Sequence, residues 1–246
     1  MKRTILAGVL VLTSGLTALW AQKPKSPAEM QAVQAVSTAA DPDSAIKAAE
    51  ELLTKYSDTE FKEFALMMEA RAYQEKRDSV NAQIFGERAL QINPKSYLME
   101  NLVATVITQG IGEHDLDRAD KLAKATKLYN DAIDNVKTAT KPNPQLPDDQ
   151  WAQAQKYTMA ESHNGLGMLA QQQKKWDDAV KEYQLAMDGD PEQDAYATRL
   201  ANALLAAGKP AEALDLCNKI LAKPSLHPQI KQVVESIKKN AEAAKK

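Results

Sequence analysis

From about residue 27 onward, apolar residues recur at three- and four-residue spacing. Leu66, Ala70 and Tyr73 form one such set, and Leu166, Leu169 and Ala170 another. That spacing places them on one face of a helix. No stretch sustains the period-two alternation of β-branched residues that marks a strand. The helical runs are punctuated by Asp-Pro, Asn-Pro and Gly-Lys-Pro, which stop one helix and start the next. Asp41-Pro42-Asp43-Ser44 reads as a helix start, with a capping side chain followed by a first-turn proline. A helix is predicted from Tyr97 to Gln109, broken by Gly110-Ile111-Gly112, and a longer one from about Asp115 to Thr138. Lys141 to Pro147 carries three prolines and reads as a stiff extended connector. Asp148-Asp149 is expected to cap a long helix reaching Gln173. The last helix, about Pro228 to Ala244, gathers Ile230, Val233, Val234 and Ile237 on one face.

The chain also repeats itself. Residues 160–193 align with 194–227, pairing Leu166 with Leu200, Gly167 with Ala201, Ala170 with Leu204, Ala179 with Ala213 and Ala186 with Ile220. The offset of 34 residues is that of a helix–turn–helix repeat. Leu166-Gly167, Trp176, Ala179, Tyr183, Ala186 and Pro191 resemble the consensus of the tetratricopeptide repeat, with His163 where that family usually has Trp. The residue types have a packing logic. Small residues at 167 and 179 let the two helices of a repeat approach closely, Ala186 does the same toward the next repeat, and Trp176 and Tyr183 fill the space around them. Residues 63–94 match through Ala70, Tyr73, Ala82, Ala89 and Pro94, with Gly86 replacing the usual aromatic. Residues 26–59 keep Ala45, Ala49 and Leu52 but have Ser57 at the closing-proline position, and 97–140 is irregular.

The resemblance implies an all-α, tetratricopeptide-type solenoid, a right-handed superhelix of antiparallel helix pairs. Its parts are a linker at 22–26, repeats at about 26–59, 63–94, 97–140, 148–193 and 194–227, and a capping helix at 228–244. The Pro-rich connector either divides two sub-solenoids or lies within one continuous superhelix. The second is favoured, because a single repeat pair has little core of its own.

Ahead of this body, Lys2 and Arg3 precede an apolar run from Ile5 to Trp20. That is the pattern of a secretory signal peptide, here residues 1–21, and an uncleaved anchor is the alternative. Residue 22 is Gln, not the Cys that a lipoprotein leader requires. The expected location is the periplasm or the exterior, without membrane insertion once the leader is removed. Loss of Lys2 and Arg3 takes the net charge from -2 to about -4, which gives no attraction to anionic lipid. The same balance argues against nucleic-acid coating, which needs a basic excess. One Cys in the chain excludes an intrachain disulfide and a multi-cysteine metal site. Cys217 occupies the repeat position of Tyr183 and is expected to be a small buried hydrophobe.

Little else points to reaction chemistry. His114, His163 and His227 lack the spacing of a metal pair. Glu113, Asp115, Asp117 and Asp120 lack the glycine and terminal Glu of a calcium loop, and carboxylates in a first helical turn suit the helix dipole. No nucleophile elbow, Walker loop or dinucleotide fingerprint occurs, and no cofactor, metal or catalytic residue is assigned. The resemblance implies instead a non-enzymatic scaffold of the bacterial cell envelope that holds a peptide or partner protein on the concave face of its repeats. Carried over by position, the groove residues are Met30 and Gln34, Met67 and Arg71, Asn101 and Thr105, Asn164 and Met168, and Thr198 and Asn202. Glu51 to Thr59 resembles the helix-end pattern of outer-membrane assembly members of the family. The alternatives are an accessory subunit of an envelope enzyme, with a site in 110–150, and a self-assembling structural protein.

Overall fold

The computed structural model describes residues 22–245, so the expected leader lies outside the described residues. Among them are eleven helices and no strand: α1 (Pro27–Ser37), α2 (Pro42–Lys55), α3 (Lys62–Glu75), α4 (Ser79–Ile92), α5 (Tyr97–Gln109), α6 (Arg118–Thr138), α7 (Asp148–Gln172), α8 (Trp176–Gly189), α9 (Asp194–Ala206), α10 (Pro210–Leu221) and α11 (Pro228–Ala244). The chain forms two compact units, one running to Gln155 and the other from Lys156. The division falls inside α7, downstream of the Pro-rich connector.

In the N-terminal unit each helix from α1 to α5 packs on its successor, and α3 also touches α1 and α5. This is a stack of helix hairpins whose first helices lie side by side. Val33, Val36, Ala49, Leu52, Ala70, Ala82, Ala89, Val103 and Ala104 are sealed from solvent. The helix starts follow local chemistry. Asp41 accepts a hydrogen bond from the Ser44 N–H with Pro42 in the first turn, as the sequence predicts, and Asp78 does the same for Asn81. Ser26 caps α1 through the Glu29 N–H. Two boundaries differ from expectation. Helix α6 begins at Arg118, because the Asp115 carboxylate accepts from the Gly112 N–H and from Lys121 and keeps 112–117 in a turn. Asp148 and Asp149 sit inside the first turn of α7, where Asp148 pairs with Lys141.

The C-terminal unit shows why the 34-residue alignment works. Ala179, Ala186, Ala201, Ala213 and Cys217 are all fully buried, and so is Tyr183. Gly167 is small for a steric reason: a Cβ there would lie 2.6 Å from the Tyr183 ring. Ala186 packs with Ala160 and with Tyr196 of the next repeat. Helix α11 closes the unit with Val234, Ile237 and Ala241 inward. Its Lys231, Gln232, Glu235, Lys239 and Glu242 face solvent, as a terminal helix of a stack requires.

The backbone repeats as well. Arg77, Lys174 and Gly208 have φ of 60°, 58° and 75°. Lys174 and Gly208 are 34 residues apart, and Arg77 holds the equivalent place after α3. At each, the next residue's N–H reaches back to close the helix: Asp78 to the Tyr73 carbonyl, Lys175 to Ala170 and Lys209 to Leu204. One left-handed residue reverses the chain between the helices of a repeat, and two of the three bear side chains that make this conformation costly.

Candidate functional site: an amide-lined cleft in the C-terminal unit

Helices α7, α9 and α11 of the C-terminal unit flank a cleft of about 520 Å³. Helix α7 contributes Met168, Gln171 and Gln172, and α9 contributes Thr198, Arg199 and Asn202. Helix α11 supplies Val233, Ser236, Ile237 and Asn240, with Tyr183 of α8 at the floor. The positions follow from helical spacing: Thr198 and Asn202 are one turn apart, as are Val233 and Ile237, so each pair projects from one face of its helix.

The polar groups of the cleft are tied together. The Tyr183 hydroxyl donates to Gln171 Oε1 at 3.0 Å. Burial pushes the Tyr183 phenol up to about 12, with Arg199 pulling the other way, so it stays a protonated donor near neutrality. Arg199 Nη1 donates to Asn164 Oδ1 at 2.6 Å. Asn164 lies one turn before Met168, whose sulfur accepts from its amide. His163 Nδ1 and Glu182 Oε2 stand 2.8 Å apart and join α7 to α8. His163 thus links two helices of one repeat.

Of the residues carried over from the repeat pattern, the cleft brings together Met168, Thr198 and Asn202, with Asn164 behind them. Thr198 is only 7% exposed, and its hydroxyl donates to the Asp194 carbonyl, so it forms wall rather than a free ligand group. Met30, Gln34, Met67, Arg71, Asn101 and Thr105 belong to the N-terminal unit. Met30 and Gln34 are exposed there. Met67 and Asn101 are buried, at 7% and 6% exposure. The reason is crowding, since α3 is covered by α1 on one side and α5 on the other. Truncating Met67 therefore probes stability, not binding. Thr105 is half-buried with its hydroxyl 3.2 Å from that of Tyr129.

Three important residues were not anticipated. Arg199 is the one cation of α9, which was the available signal. Val233, expected on the packing face of α11, is 49% exposed and opens onto the cleft. Glu69, in the N-terminal unit, is 1% exposed and neither carboxylate oxygen has a hydrogen-bond partner. Glu100 is buried too, but it accepts from the Asn135 amide at 2.8 and 3.0 Å.

The remaining candidates take structural places. His114 is exposed in the turn before α6, and Asp115 and Asp117 pair with Lys121. His227 caps α11 by accepting from the Gln229 N–H. Among the described residues no group of three or more His, Cys, Asp or Glu is placed to hold a metal ion. Cys217 is fully buried, and burial pushes its thiol above the ordinary range.

Residues 170–237 match the family model of the tetratricopeptide repeat, a span that contains most of the cleft. No curated protein matches the chain. Among solved structures, a thermophilic TPR protein of Thermus thermophilus is similar over 85% of this chain and 95% of its own, with 17% identity and a TM-score of 0.56. The MamA RS-1 ArsTM double mutant is similar over 85% and 93%, with 13% identity and a TM-score of 0.54. At such identities the likeness is one of fold: an all-α solenoid of helix hairpins.

Proposed function

We propose that this tetratricopeptide-repeat protein is a non-enzymatic scaffold of the bacterial cell envelope that holds a peptide or partner protein in the cleft between α7, α9 and α11. Proteins of this family are in general binding scaffolds, and stacked repeats offer extended concave surfaces for that work. The observation that carries the reading is the make-up of the cleft. Gln171, Asn202 and Asn240 present amide groups beside Met168 and a half-exposed Val233. Amides bond a peptide backbone from either side, and methionine adapts to varied side chains. Tyr183, the one titratable hydroxyl in the lining, is held protonated and committed to Gln171, which suits a binding wall better than a reacting group.

The envelope assignment rests on Lys2, Arg3 and the apolar run to Trp20. Fractionation tests it: the processed chain is expected in the periplasmic fraction, and a full-length cytoplasmic product would refute it. Site-specific photo-crosslinking tests the binding reading. A crosslinker at Asn202 is expected to capture a defined partner that one at the exposed Asp215 of α10 does not. Equal capture at both positions would remove the cleft from the proposal.

A further inference from the structure

The N-terminal unit buries a carboxylate without a partner. Glu69 of α3 is 1% exposed, and its two oxygens accept no hydrogen bond. A buried carboxyl in that state either keeps its proton or gains a counter-charge. Among the described residues the other two buried glutamates are bonded: Glu29 of α1 accepts from the Thr59 hydroxyl at 2.6 Å, and Glu100 of α5 accepts from the Asn135 amide. The charged groups that act on Glu69 are Arg88 of α4 and Glu50 of α2. Tyr73, one turn along α3, feels both Glu69 and Glu50.

The packing of α3 on α4 sets where Arg88 can reach. Tyr73 stacks on Phe85 with ring centroids 5.3 Å apart. The two helices form an antiparallel hairpin, so four residues back along α3, from Tyr73 to Glu69, match four residues forward along α4, from Phe85 to Ala89. Glu69 is thus level with Ala89, the neighbour of Arg88. The Arg88 guanidinium nevertheless lies over the Phe85 ring, 5.0 Å from its centroid, leaning toward the helix N-terminus as helical side chains do. A cation on an aromatic ring near the surface is held weakly compared with one bonded to a buried carboxylate.

We propose that Glu69, Arg88 and Phe85 form a pH-operated latch: Arg88 rests on Phe85 while Glu69 is protonated, and Glu69, once its proton has passed to solvent, draws the guanidinium off the ring into a charge-assisted pair. Both poses are rotamers of one long, exposed side chain, so the helices keep their places. Glu50 opposes the ionised form and moves the exchange to higher pH, whereas Arg88 favours it. Val80, Ile84 and Arg88 follow at one-turn spacing along α4, and Val80 and Ile84 are exposed. Moving Arg88 bares the Phe85 ring next to Ile84 and widens this apolar strip as pH rises. The latch lies in the N-terminal unit and is independent of the cleft.

The test is NMR on the intact chain from pH 4.5 to 8.5, following the Glu69 carboxyl carbon and the Arg88 side chain. Protons over an aromatic ring are shifted upfield, so the Arg88 signals report whether it lies on Phe85. That shift is expected at the acid end and should be lost with the same midpoint as the Glu69 carboxyl titration. Glu69→Gln should hold the acid-state Arg88 signals at every pH. Arg88→Gln should raise the Glu69 midpoint by roughly one unit, because it removes the cation that favours the carboxylate. Phe85→Leu should lower the midpoint, because it removes the resting place that competes with Glu69 for Arg88. Arg88 signals that stay constant while Glu69 titrates overturn the latch. So does an Arg88 titration that survives Glu69→Gln, which would assign it to Glu50 or another acid, or a Glu69 midpoint indifferent to Arg88→Gln. The wild-type titration needs no substitution and decides the matter if a variant fails to fold.

Discussion

Replacing Glu69 with Gln should stabilise the protein at neutral pH relative to acid, and the size of the effect follows from the site. Glu69 lies in α3, 1% exposed, with both oxygens unbonded. The groups that act on it are Arg88 of α4, which favours the carboxylate, and Glu50 of α2, which opposes it. Burial outweighs Arg88, and the carboxyl is pushed from 4.5 up to about 7. A folded-state value above the unfolded one means that the native state holds the proton more tightly. The contribution of Glu69 to stability is therefore complete below pH 4.5, is lost as pH rises toward 7, and is flat above. Raising a carboxyl from 4.5 to about 7 corresponds to roughly 3 kcal/mol across that window. Glu69→Gln removes the ionisation and keeps the shape. The unpaired amide it introduces carries its own cost, about 1–3 kcal/mol, but that cost does not depend on pH. The diagnostic quantity is thus the difference between variant and wild type as a function of pH. Urea unfolding at half-unit steps from pH 4.5 to 8.5 measures it. The expected result is a difference that moves in favour of the variant by about 2–3 kcal/mol as pH rises, with most of the change below pH 7. Comparing two chains cancels the carboxylates that respond oppositely, such as Asp41 and Asp78, whose pKa values are held down by their caps. A difference that is the same at pH 5 and pH 8 would refute the burial argument.

Other outcomes are equally specific. Gly167→Leu forces a side chain into the Tyr183 ring, which a Cβ alone already approaches to 2.6 Å, and should cost about 1–3 kcal/mol or more; an unchanged Tm would contradict the repeat register. Met67→Ala should cost about 2–3 kcal/mol, because the side chain is buried between helices; a neutral effect would return Met67 to the ligand surface. Lys174→Gly should raise stability by roughly 0.5–1 kcal/mol by relieving a left-handed backbone, and a lower urea midpoint would refute that. Asp41→Ala should lose about 1 kcal/mol with its cap, read in the same assay.

The parts of the fold that were legible are those set by local chemistry or by a strict repeat. Helix α5 spans Tyr97–Gln109 and α11 spans Pro228–Ala244, both as the spacing and the flanking Gly and Pro predict. The burial of Ala179, Ala213 and Cys217 followed from the repeat consensus that 160–193 resembles and the 34-residue alignment that carries it forward. What stayed hidden depends on partners distant in sequence. Asp115 looks like a first-turn acid until Lys121 and the Gly112 N–H claim it. Val233 fits the apolar face of α11 in a helical projection, yet Val234 takes the inward position and leaves Val233 exposed at the cleft. The left-handed turns at Arg77 and Lys174 carry no glycine to announce them, whereas Gly208 does. Of the cleft residues, Met168, Thr198 and Asn202 were readable by position, while Arg199 needed its geometry with Asn164 to be seen.

Comparison of two repeats shows how the family signature fades while the packing persists. In the C-terminal unit, Tyr183 fills the space over Gly167, a large residue against a small one. In 63–94 the equivalent of Tyr183 is Gly86, and the equivalent of Gly167 is Ala70. A Cβ on Gly86 would meet Val103 Cγ2 at 2.5 Å, with Leu102 and Ala70 close by. The volume that an aromatic occupies in one repeat is filled in the other by the next helix, α5, which presses Val103 into the gap. Tyr73 and Phe85 stack with centroids 5.3 Å apart and supply aromatic bulk one residue away from the consensus place. Cores require filled volume more strictly than they require given residue types. Residue types follow the repeat family over 170–237. The left-handed turn and its closing hydrogen bond recur after α3 at Arg77 and Asp78, upstream of that span.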